Sequence, residues 1–429
     1  MRQRYNVLFF VILGSAAEDD MKNKKKRKKW LRFRHRVAQA LIAFALRPYI
    51  RLRYGIRIER FRGKKKRQYL CLSNHQTAFD QFFVGLALPR PFYYVASDDL
   101  FTNGFVSRLI KWLVEPIPFT KSTSDAKAVM TCMRVAREGG SIALFPEGNR
   151  TYDGTPVYMK PGVAKLVRAL KLPVALFRIE GGYGAHPRWS DVVRRGKMRA
   201  YVCRVLEPEE YAAMTDEELY EVIRTALYVS EGCDTGEYRH KKNAEYLERA
   251  MYVCPTCGLS RFESHGETIS CLGCGVTVRH MPNKELVATN GTFPFRFVSE
   301  WYAYQNDFIQ KLDLTQHKDA PLYEDTVRFS RVIPCKRREV LARGATLSLE
   351  WDRVSVQKGE FSMVLPYTEV VAMSVLGKNK LNIYTHDHTY QVKGDKRFNA
   401  LKYMNIYYHF AHQLHKFKEE DANGEFLGL

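Results

Sequence analysis

The sequence predicts an α/β domain with a sheet flanked by helices, followed by a small four-cysteine module and a C-terminal β-rich domain. Three observations support this fold class. Between residue 69 and about residue 206, apolar strand-like runs alternate with helical segments, a pattern typical of a buried sheet covered by helices. Two Cys-x2-Cys pairs come next. Short strands with alternating polarity then lead into one long amphipathic helix.

With 429 residues the chain is long enough for two or three domains. We divide it into a basic N-terminal segment with an amphipathic helix (1–50), the α/β domain (51–250), the four-cysteine module (251–283), a helical linker (284–330) and a β-barrel-like domain closed by a helix (331–429). In architecture, the last segment resembles a pleckstrin-homology or related lipid-sensing barrel.

Positive charge is concentrated at the N-terminus. The formal net charge is +22, and residues 1–68 hold 22 Lys or Arg against 4 Asp or Glu. A nearly continuous basic run at 22–29 is followed by Trp30 and an apolar stretch at 37–46, which Pro48 is expected to end or kink. A basic, Trp-led helix too short to span a bilayer is typical of the membrane interface. We therefore expect an anionic phospholipid membrane as partner rather than nucleic acid, the alternative for a basic patch.

Residues 1–20 imitate a signal peptide, but Met21 directly precedes the basic run. A start-site artefact or a short anchor is favoured over export, because the nine cysteines do not suggest a disulfide framework. The expected location is the cytoplasmic face of a membrane, with peripheral or interfacial attachment.

The α/β domain is predicted to alternate strands and helices in chain order. The strands are expected at 69–73, 92–96, 141–145, 174–179 and 198–205, and the helices at 81–88, 104–114, 125–138 and 161–170. A capping box at 215–218 is expected to open a further helix.

A polar turn at 74–80 follows the first of these strands and carries His75 and Asp80. Histidine is the side chain whose ordinary pKa suits a general base near neutral pH. A carboxylate on its other ring nitrogen would fix the tautomer. Thr77 and Asp80 also fit a helix capping box, with Thr77 at the N-cap and Asp80 at the third helical position. Asp80 is therefore expected to cap the helix, to orient His75, or to do both.

A second polar turn follows the strand at 141–145. Arg150 suits bidentate binding of phosphate, and Glu147 can hold that arginine or bind hydroxyl groups. Gly148 allows a ligand to approach the backbone. The alternative is a Glu/Arg pair on the surface.

These turns resemble conserved blocks of the glycerolipid acyltransferase (lysophosphatidate acyltransferase) superfamily. Residues 74–80 resemble its His-x4-Asp block, and residues 145–151 resemble its Phe-Pro-Glu-Gly-x-Arg-Ser/Thr block. Residues 115–121 stand where the family has a Gly-x5-Arg block, and residues 172–176 resemble its fourth block. The resemblance implies catalysis by His75 and Asp80 and substrate binding by Lys121, Glu147, Gly148, Arg150 and Thr151.

The implied activity is membrane-associated O-acyl transfer without a cofactor and without an acyl-enzyme. The donor would be acyl-CoA or acyl-carrier protein. The acceptor would be a lysophospholipid, foremost 1-acylglycerol-3-phosphate, and the product phosphatidate. The alternatives are a different glycerolipid acceptor, or a non-catalytic zinc-ribbon protein that binds and recruits a partner.

Cys254, Cys257, Cys271 and Cys274 form two Cys-x2-Cys pairs separated by 13 residues. Four thiolates with this spacing suit tetrahedral Zn²⁺, and the module resembles a zinc ribbon. A site closed by four cysteines is structural, so we expect a structural zinc ion. An iron–sulfur cluster and a redox pair are the alternatives.

Overall fold

The structure is a computed structural model that describes residues 29–64, 67–88, 91–97, 100, 105–119, 126–333 and 338–413. Most of the predicted basic run, the signal-like segment and Lys121 lie outside these residues. Among the described helices, none is both long and apolar enough to cross a bilayer.

The first sheet has seven strands in the order β1-β7-β6-β2-β5-β3-β4. All its pairs are parallel except β6 with β7. The central strand β2 is buried along its whole length. The chain that follows β2 therefore emerges at the middle of the edge that the carboxyl ends of the parallel strands form. Ligands of α/β sheets bind at this edge, beyond the carboxyl ends of the strands. The strands are β1 (Arg57–Ile58), β2 (Leu70–Ser73), β3 (Phe92–Ser97), β4 (Ile117–Phe119), β5 (Ser141–Leu144), β6 (Val174–Glu180) and β7 (Arg199–Leu206).

Helices cover both faces of this sheet, which confirms the predicted α/β class. One apolar layer is shared with α1 and α2, and the opposite layer with α4, α5 and α8. The helices are α1 (Phe33–Tyr54), α2 (Asp80–Ala87), α3 (Phe105–Val114), α4 (Ala126–Arg137), α5 (Gly162–Leu170), α6 (Gly182–Ala185), α7 (Pro208–Ala212) and α8 (Asp216–Leu227).

Of two helix-terminus predictions from the sequence, one is confirmed and one is wrong. The capping box of α8 is confirmed, because Thr215 Oγ1 accepts the Glu218 N–H and the Glu218 carboxylate accepts the Thr215 N–H. The expected end of the helix at Pro48 is wrong, since α1 continues through it to Tyr54. Proline removes the N–H that would bond to the carbonyl of Phe44. Phe44 is exposed, so water can bind that carbonyl instead.

The four-cysteine module consists of a short hairpin and a four-stranded antiparallel sheet. The predicted end of the module at residue 283 lies inside this sheet, because the last strand of the sheet, β13, begins only after residue 283. The strands are β8 (Val253–Cys254), β9 (Gly258–Leu259), β10 (Phe262–His265), β11 (Thr268–Cys271), β12 (Thr277–His280) and β13 (Leu286–Asn290).

The C-terminal part is a second seven-stranded sheet, antiparallel throughout, in the order β17-β16-β15-β14-β20-β19-β18. The predicted helical linker is partly wrong, since it contains β13 and most of β14 besides α9. The predicted β-rich domain with its closing helix is confirmed, and its likeness to a pleckstrin-homology barrel stays a prediction. The elements are α9 (Val298–Lys311), β14 (Tyr323–Val332), β15 (Glu339–Leu349), β16 (Arg353–Lys358), β17 (Phe361–Pro366), β18 (Val370–Leu376), β19 (Lys380–Thr385), β20 (Thr389–Lys393) and α10 (Leu401–Gln413).

Candidate active site

The loop after β2 is pinned to the neighbouring strand by side chains of the first motif. The Asn74 amide donates to the carbonyl of Ile179 and accepts its N–H, both at 2.8 Å. The side-chain oxygen of Gln76 accepts the N–H of Gly182 at 2.9 Å. Asn74 and Gln76 therefore hold the loop, and His75 between them is directed away from these anchors.

His75 and Asp80 form the predicted pair. His75 Nδ1 lies 2.8 Å from Asp80 Oδ2, and the Asp80 side chain is completely buried. The imidazole also stacks on the Phe145 ring, with 4.4 Å between the centroids. One ring nitrogen is thus occupied by a carboxylate, which leaves Nε2 to exchange a proton with a ligand.

Asp80 also organises the start of α2, although not as the capping box predicts. Its carboxylate accepts the N–H groups of Gln76 and Thr77 and the hydroxyl of Thr77. The helix begins at Asp80 itself, and the Thr77 hydroxyl accepts the N–H of Phe79. The predicted position of Asp80 as third helical residue is therefore wrong, because a turn at 77–79 replaces the first helical turn. The same carboxylate thus binds the turn before α2 and contacts His75.

Two opposing effects act on the imidazole. Burial lowers the pKa of His75 below its usual 6.5, while the hydrogen bond and the charge of Asp80 raise it. Burial is the larger effect, so His75 is neutral near pH 7. A neutral imidazole can accept a proton, as a general base must.

The second motif meets the first through Glu147, whose Oε2 accepts the backbone N–H of His75 at 3.1 Å. Burial and the nearby charge of Asp80 raise the pKa of Glu147 to about 8, against the effect of this hydrogen bond. Gly148 is exposed and has a φ of 66°, a conformation that favours glycine at this turn. The turn thereby brings a buried carboxyl group next to the His75 backbone.

Arg150 lies near the pair with a second arginine that the sequence reasoning did not single out. Burial and the charge of Arg188 lower the pKa of Arg150 to about 10, and Arg150 Nη1 has no hydrogen-bond partner among the described residues. Arg188 Nη1 donates to the Arg150 carbonyl at 3.1 Å, and its guanidinium lies over the Tyr152 ring. Arg188 lies just after α6 in the connection that follows the carboxyl end of β6, and that position is the signal that could have identified it.

The two other predicted binding residues fare differently. The Thr151 hydroxyl donates to Asp153 and accepts the N–H of Gly154, so it organises the loop. It is buried and already partnered. Lys121 lies outside the described residues.

A cavity of about 1310 Å³ opens onto His75. Its walls are mainly apolar side chains of α1 to α5, joined by Phe145, Pro146 and Gly148 of the second motif. A second cavity, of about 360 Å³, reaches Glu147 and is lined by Tyr158, Tyr220 and Arg224 among others. The pair thus stands at a long apolar space, and the buried carboxyl of Glu147 borders a smaller polar one.

The four predicted metal ligands come together away from this site. All four Sγ atoms of Cys254, Cys257, Cys271 and Cys274 lie within 4.8 Å of one another. The Cys254–Cys274 and Cys257–Cys271 pairs are 3.7 and 3.9 Å apart. A tetrahedral zinc ion with Zn–S bonds of about 2.3 Å requires S···S distances of about 3.8 Å. The residues present therefore fit a four-thiolate metal site.

Comparison with known families adds a match to the N-terminal half. Residues 56–179, which contain both motifs, match the family model described as acyltransferase. The matched segment ends before the cysteine module and the C-terminal sheet.

Several curated relatives are 1-acyl-sn-glycerol-3-phosphate acyltransferases. That of Bacillus subtilis is 21% identical over 187 residues, which cover 43% of this chain and 90% of that protein. The chloroplastic BAT2 of Brassica napus is 22% identical, over 46% of this chain and 58% of that protein. The protein of Borreliella burgdorferi is 32% identical over 121 residues, 26% of this chain and 47% of that protein. The chain thus spans most of the first relative and about half of the others.

Among solved structures, the 1-acyl-sn-glycerophosphate (LPA) acyltransferase of Thermotoga maritima is similar at 17% identity and a TM-score of 0.37. The match covers 53% of this chain and 95% of that chain.

Proposed function

Residues 56–179 are an acyltransferase domain of the glycerolipid acyltransferase superfamily, and from this premise we propose that the chain acylates a lysophospholipid. The acceptor is foremost 1-acylglycerol-3-phosphate, and the product is phosphatidate. The donor is a fatty acyl thioester, carried by CoA or by acyl-carrier protein. The observation that carries the proposal is the 2.8 Å contact between His75 and the buried carboxylate of Asp80, with His75 lining a mainly apolar cavity.

The proposed reaction is a direct transfer. Nε2 of His75 takes the proton of the acceptor hydroxyl while the hydroxyl oxygen bonds to the thioester carbonyl carbon. Asp80 stabilises the imidazolium that forms. The C–S bond then breaks, and the departing thiolate receives the proton from His75. The acyl group thus passes from sulfur to the acceptor oxygen without a covalent enzyme intermediate.

The remaining parts of the site suit the two substrates. Arg150 and Arg188 form no ion pair with a carboxylate among the described residues, and two neighbouring guanidinium groups favour a phosphate as their counter-ion. Glu147, protonated near pH 7, can donate a hydrogen bond to an acceptor oxygen. The 1310 Å³ cavity offers apolar walls to an acyl chain. A glycerolipid with a different head group could use the same residues, so the acceptor is decided by assay.

The proposal is tested with the purified full chain, an oleoyl thioester donor and a panel of glycerolipid acceptors in vesicles. We expect phosphatidate from lysophosphatidate, and we expect His75→Ala to lower kcat by about 10²–10⁴-fold, the usual contribution of a general base. His388→Ala is the matched control, because that histidine is exposed in a distant hairpin. Undiminished turnover by His75→Ala would sink the mechanism. If turnover occurs only with another acceptor, the proposed mechanism still holds and the proposed acceptor is wrong.

We also propose that the chain works at an anionic membrane surface, on its cytoplasmic face. Helix α1 exposes Leu41, Phe44 and Leu52 to solvent, and the neighbouring α3 exposes Phe105 and Trp112. The other side of α1 lines the cavity. A lipid acceptor could therefore pass from the bilayer to His75 along this helix.

For the cysteine cluster we propose a structural Zn²⁺. A zinc ion there would link the β8–β9 hairpin to the turn after β11 and take no part in acyl transfer. Metal analysis should find one zinc per chain, lost in Cys254→Ser/Cys257→Ser together with cooperative unfolding of the module. Cys233→Ser, which removes an exposed thiol outside the cluster, should keep the metal. A folded wild-type protein without zinc would remove this proposal, and iron with sulfide would replace it by a cluster.

A further inference from the structure

Glu231, in the segment after α8, is buried, and its carboxylate binds the turn at 181–184 that begins α6. Oε1 accepts the first backbone N–H of this turn, and Oε2 accepts the third and the fourth at 3.1 and 3.4 Å. The second N–H, that of Gly182, donates to Gln76 Oε1 at 2.9 Å. Glu231 and Gln76 therefore bind the same turn side by side.

Gln76 connects this turn to the pair of His75 and Asp80. A Cβ at position 182 would lie 2.4 Å from Gln76 Oε1, so glycine is needed there for the Gln76 side chain to approach the turn. The backbone N–H of Gln76 donates to Asp80 Oδ2 at 2.6 Å, and the same oxygen lies 2.8 Å from His75 Nδ1. The position of Gln76 therefore affects the carboxylate oxygen that contacts the proposed base.

The backbone of Glu231 binds the loop of the second motif. Its N–H donates to the Gly154 carbonyl at 2.7 Å, and the N–H of Gly154 donates to Thr151 Oγ1 at 2.9 Å. Gly154 has a φ of 90°, and a Cβ there would lie 2.8 Å from the backbone nitrogen of Gly232. The two segments are therefore in direct backbone contact, and one residue contacts the loops on both sides of the site.

Lys284, between β12 and β13 of the cysteine module, restrains Glu231 from a third side. The lysine is buried, and its Nζ donates to the Glu231 carbonyl at 2.7 Å and to the Thr235 hydroxyl. The neighbouring Pro282 carbonyl accepts the N–H of Tyr238 at 2.7 Å. A buried ammonium group requires such acceptors, so the module and the segment that carries Glu231 are held together.

We propose that Glu231 is a positioning residue of the acyltransferase site, which acts through Gln76 to hold His75 and Asp80 in place. The proposal rests on the proposed function and deepens it, since it assigns a role to a residue beyond the segment that matches the family. Glu231 lines neither of the two cavities, so its replacement should change turnover rather than substrate binding.

A double-mutant cycle of Glu231→Gln and Gln76→Ala tests this assignment with oleoyl-CoA and lysophosphatidate. Glutamine keeps the size of the side chain but places an amide NH₂ group against a backbone N–H. We expect each single change to lower kcat about tenfold with KM within about twofold of wild type, because the base loses its orientation. The double variant should also lose about tenfold rather than about a hundredfold, since both changes break the same series of contacts.

Effects that multiply in the double variant would overturn the assignment, because the two residues would then act independently. An unchanged kcat in Glu231→Gln would do the same. Glu237→Gln is the matched control, since Glu237 is an exposed carboxylate of the same segment, and it should keep the kcat of the wild type.

Glu231→Asp replaces Glu231→Gln in the cycle if circular dichroism shows that the glutamine variant does not fold. Aspartate keeps the carboxylate but has a shorter reach, so the same loss of kcat is expected. Failure of both variants to fold would overturn the assignment, because Glu231 would then be required by the fold rather than by the site.

Hydrogen exchange separates this inference from the proposed function, because it needs no turnover. Mass spectrometry of the peptide that contains residues 74–80 should show exchange about tenfold faster in Glu231→Gln, since the loop opens more often. The amides of β20 serve as the reference, and an equal rise there would indicate a global loss of stability and overturn the assignment. If the wild type shows no acyl transfer but the loop exchanges faster in the variant, the proposed reaction fails and the loop contact of Glu231 stands. If acyl transfer is present and the exchange of the loop is unchanged, only the positioning role fails.

Discussion

Two opposite effects act on the pKa of His75, the proposed general base. Desolvation favours the neutral ring, and Asp80 favours the imidazolium. During proton transfer the ring gains charge, and Asp80 is already in place to stabilise it without reorganisation. Asn74 and Gln76 hold the loop in place, and the loop keeps His75 Nδ1 2.8 Å from Asp80 Oδ2.

Glu147 leads to a prediction about pH and stability. Its folded-state pKa of about 8 exceeds the usual 4.5, so between these values the folded state holds a proton that the unfolded state has lost. The stability from this group is complete below about pH 4.5 and is lost as the pH rises through 8. We therefore expect the free energy of unfolding of the wild type, minus that of Glu147→Gln, to fall steadily between pH 5 and 8 in urea titrations.

Glu360→Gln provides the comparison, because Glu360 is exposed whereas Glu147 is buried. Other buried carboxyls occur in both proteins and cancel in the difference. A difference that does not vary with pH would mean that Glu147 is ionised in the folded protein.

At the residue level, the sequence identifies a group when local spacing carries the signal. His75 and Asp80 are five residues apart, and Glu147 and Arg150 share one turn, so their motifs could be recognised. Arg188 reaches the second motif from another segment, and no local pattern marks it. Thr151 belongs to the second motif, yet its hydroxyl is used within the loop, which spacing alone does not reveal.

Helix α1 has apolar side chains on two different sides. Its cavity side includes Gln39, Ala43 and Leu46, while Leu41, Phe44 and Leu52 are more than half exposed on another face. Exposed apolar side chains in such a row are unusual on a soluble surface and mark a contact with lipid or protein.

We expect Leu41→Glu/Phe44→Glu to lower binding to anionic vesicles at least tenfold. Burial of two large apolar side chains in the interface contributes about 1.5–3 kcal/mol each, and the added negative charges are repelled by the anionic lipid. Because these side chains are exposed, the free energy of unfolding should change by no more than about 0.5 kcal/mol. Flotation and urea titration measure the two quantities.

Val340→Glu/Val364→Glu introduces the same change of charge at two exposed positions of the C-terminal sheet and should bind vesicles like the wild type. Equal loss of binding in both variants would indicate a general charge effect, and no loss in either would place the membrane contact elsewhere.

The elements themselves were largely predictable, and the exceptions have local physical causes. Pro48 does not end α1, since the carbonyl it leaves without a partner lies on an exposed face. The sequence predicts two strands at 339–342 and 346–351, but β15 is continuous because Gly344 adopts a φ of 60° at a bulge. The start of α2 is shifted to Asp80 by the carboxylate's bonds to the turn before it.

On the scale of the whole molecule, one apolar core runs from the α/β domain into the C-terminal half. It joins Tyr152 and Trp189 to residues of the cysteine module and of the C-terminal sheet. Arg249 crosses the same region, because it donates to the carbonyls of Trp189 and Lys396 and to Asp191. The domains that we distinguish from the sequence are thus joined by buried contacts. The amino-acid composition of each domain does not indicate these contacts.

Arg249→Met should lower the free energy of unfolding by about 1–3 kcal/mol, since it leaves the carbonyls of Trp189 and Lys396 without their buried donor while Asp191 keeps its contact with Lys378. Arg239→Met is the control. Its pair with Glu237 is exposed, and such a pair contributes about 0–1 kcal/mol. Urea denaturation of the two variants compares these values, and equal stabilities would show that Arg249 adds nothing to the joining of the domains.

The pairing of β1 with β7 also constrains events during synthesis. Arg57 and Ile58 pair with Arg199 and Ala200, which a ribosome adds about 7–28 s later at about 5–20 residues per second. Throughout that interval α1 precedes a sheet that has no closing strand, and its apolar side chains are already available. The apolar face of α1 that we propose to bind lipid is therefore synthesised before the sheet that carries His75 can be completed.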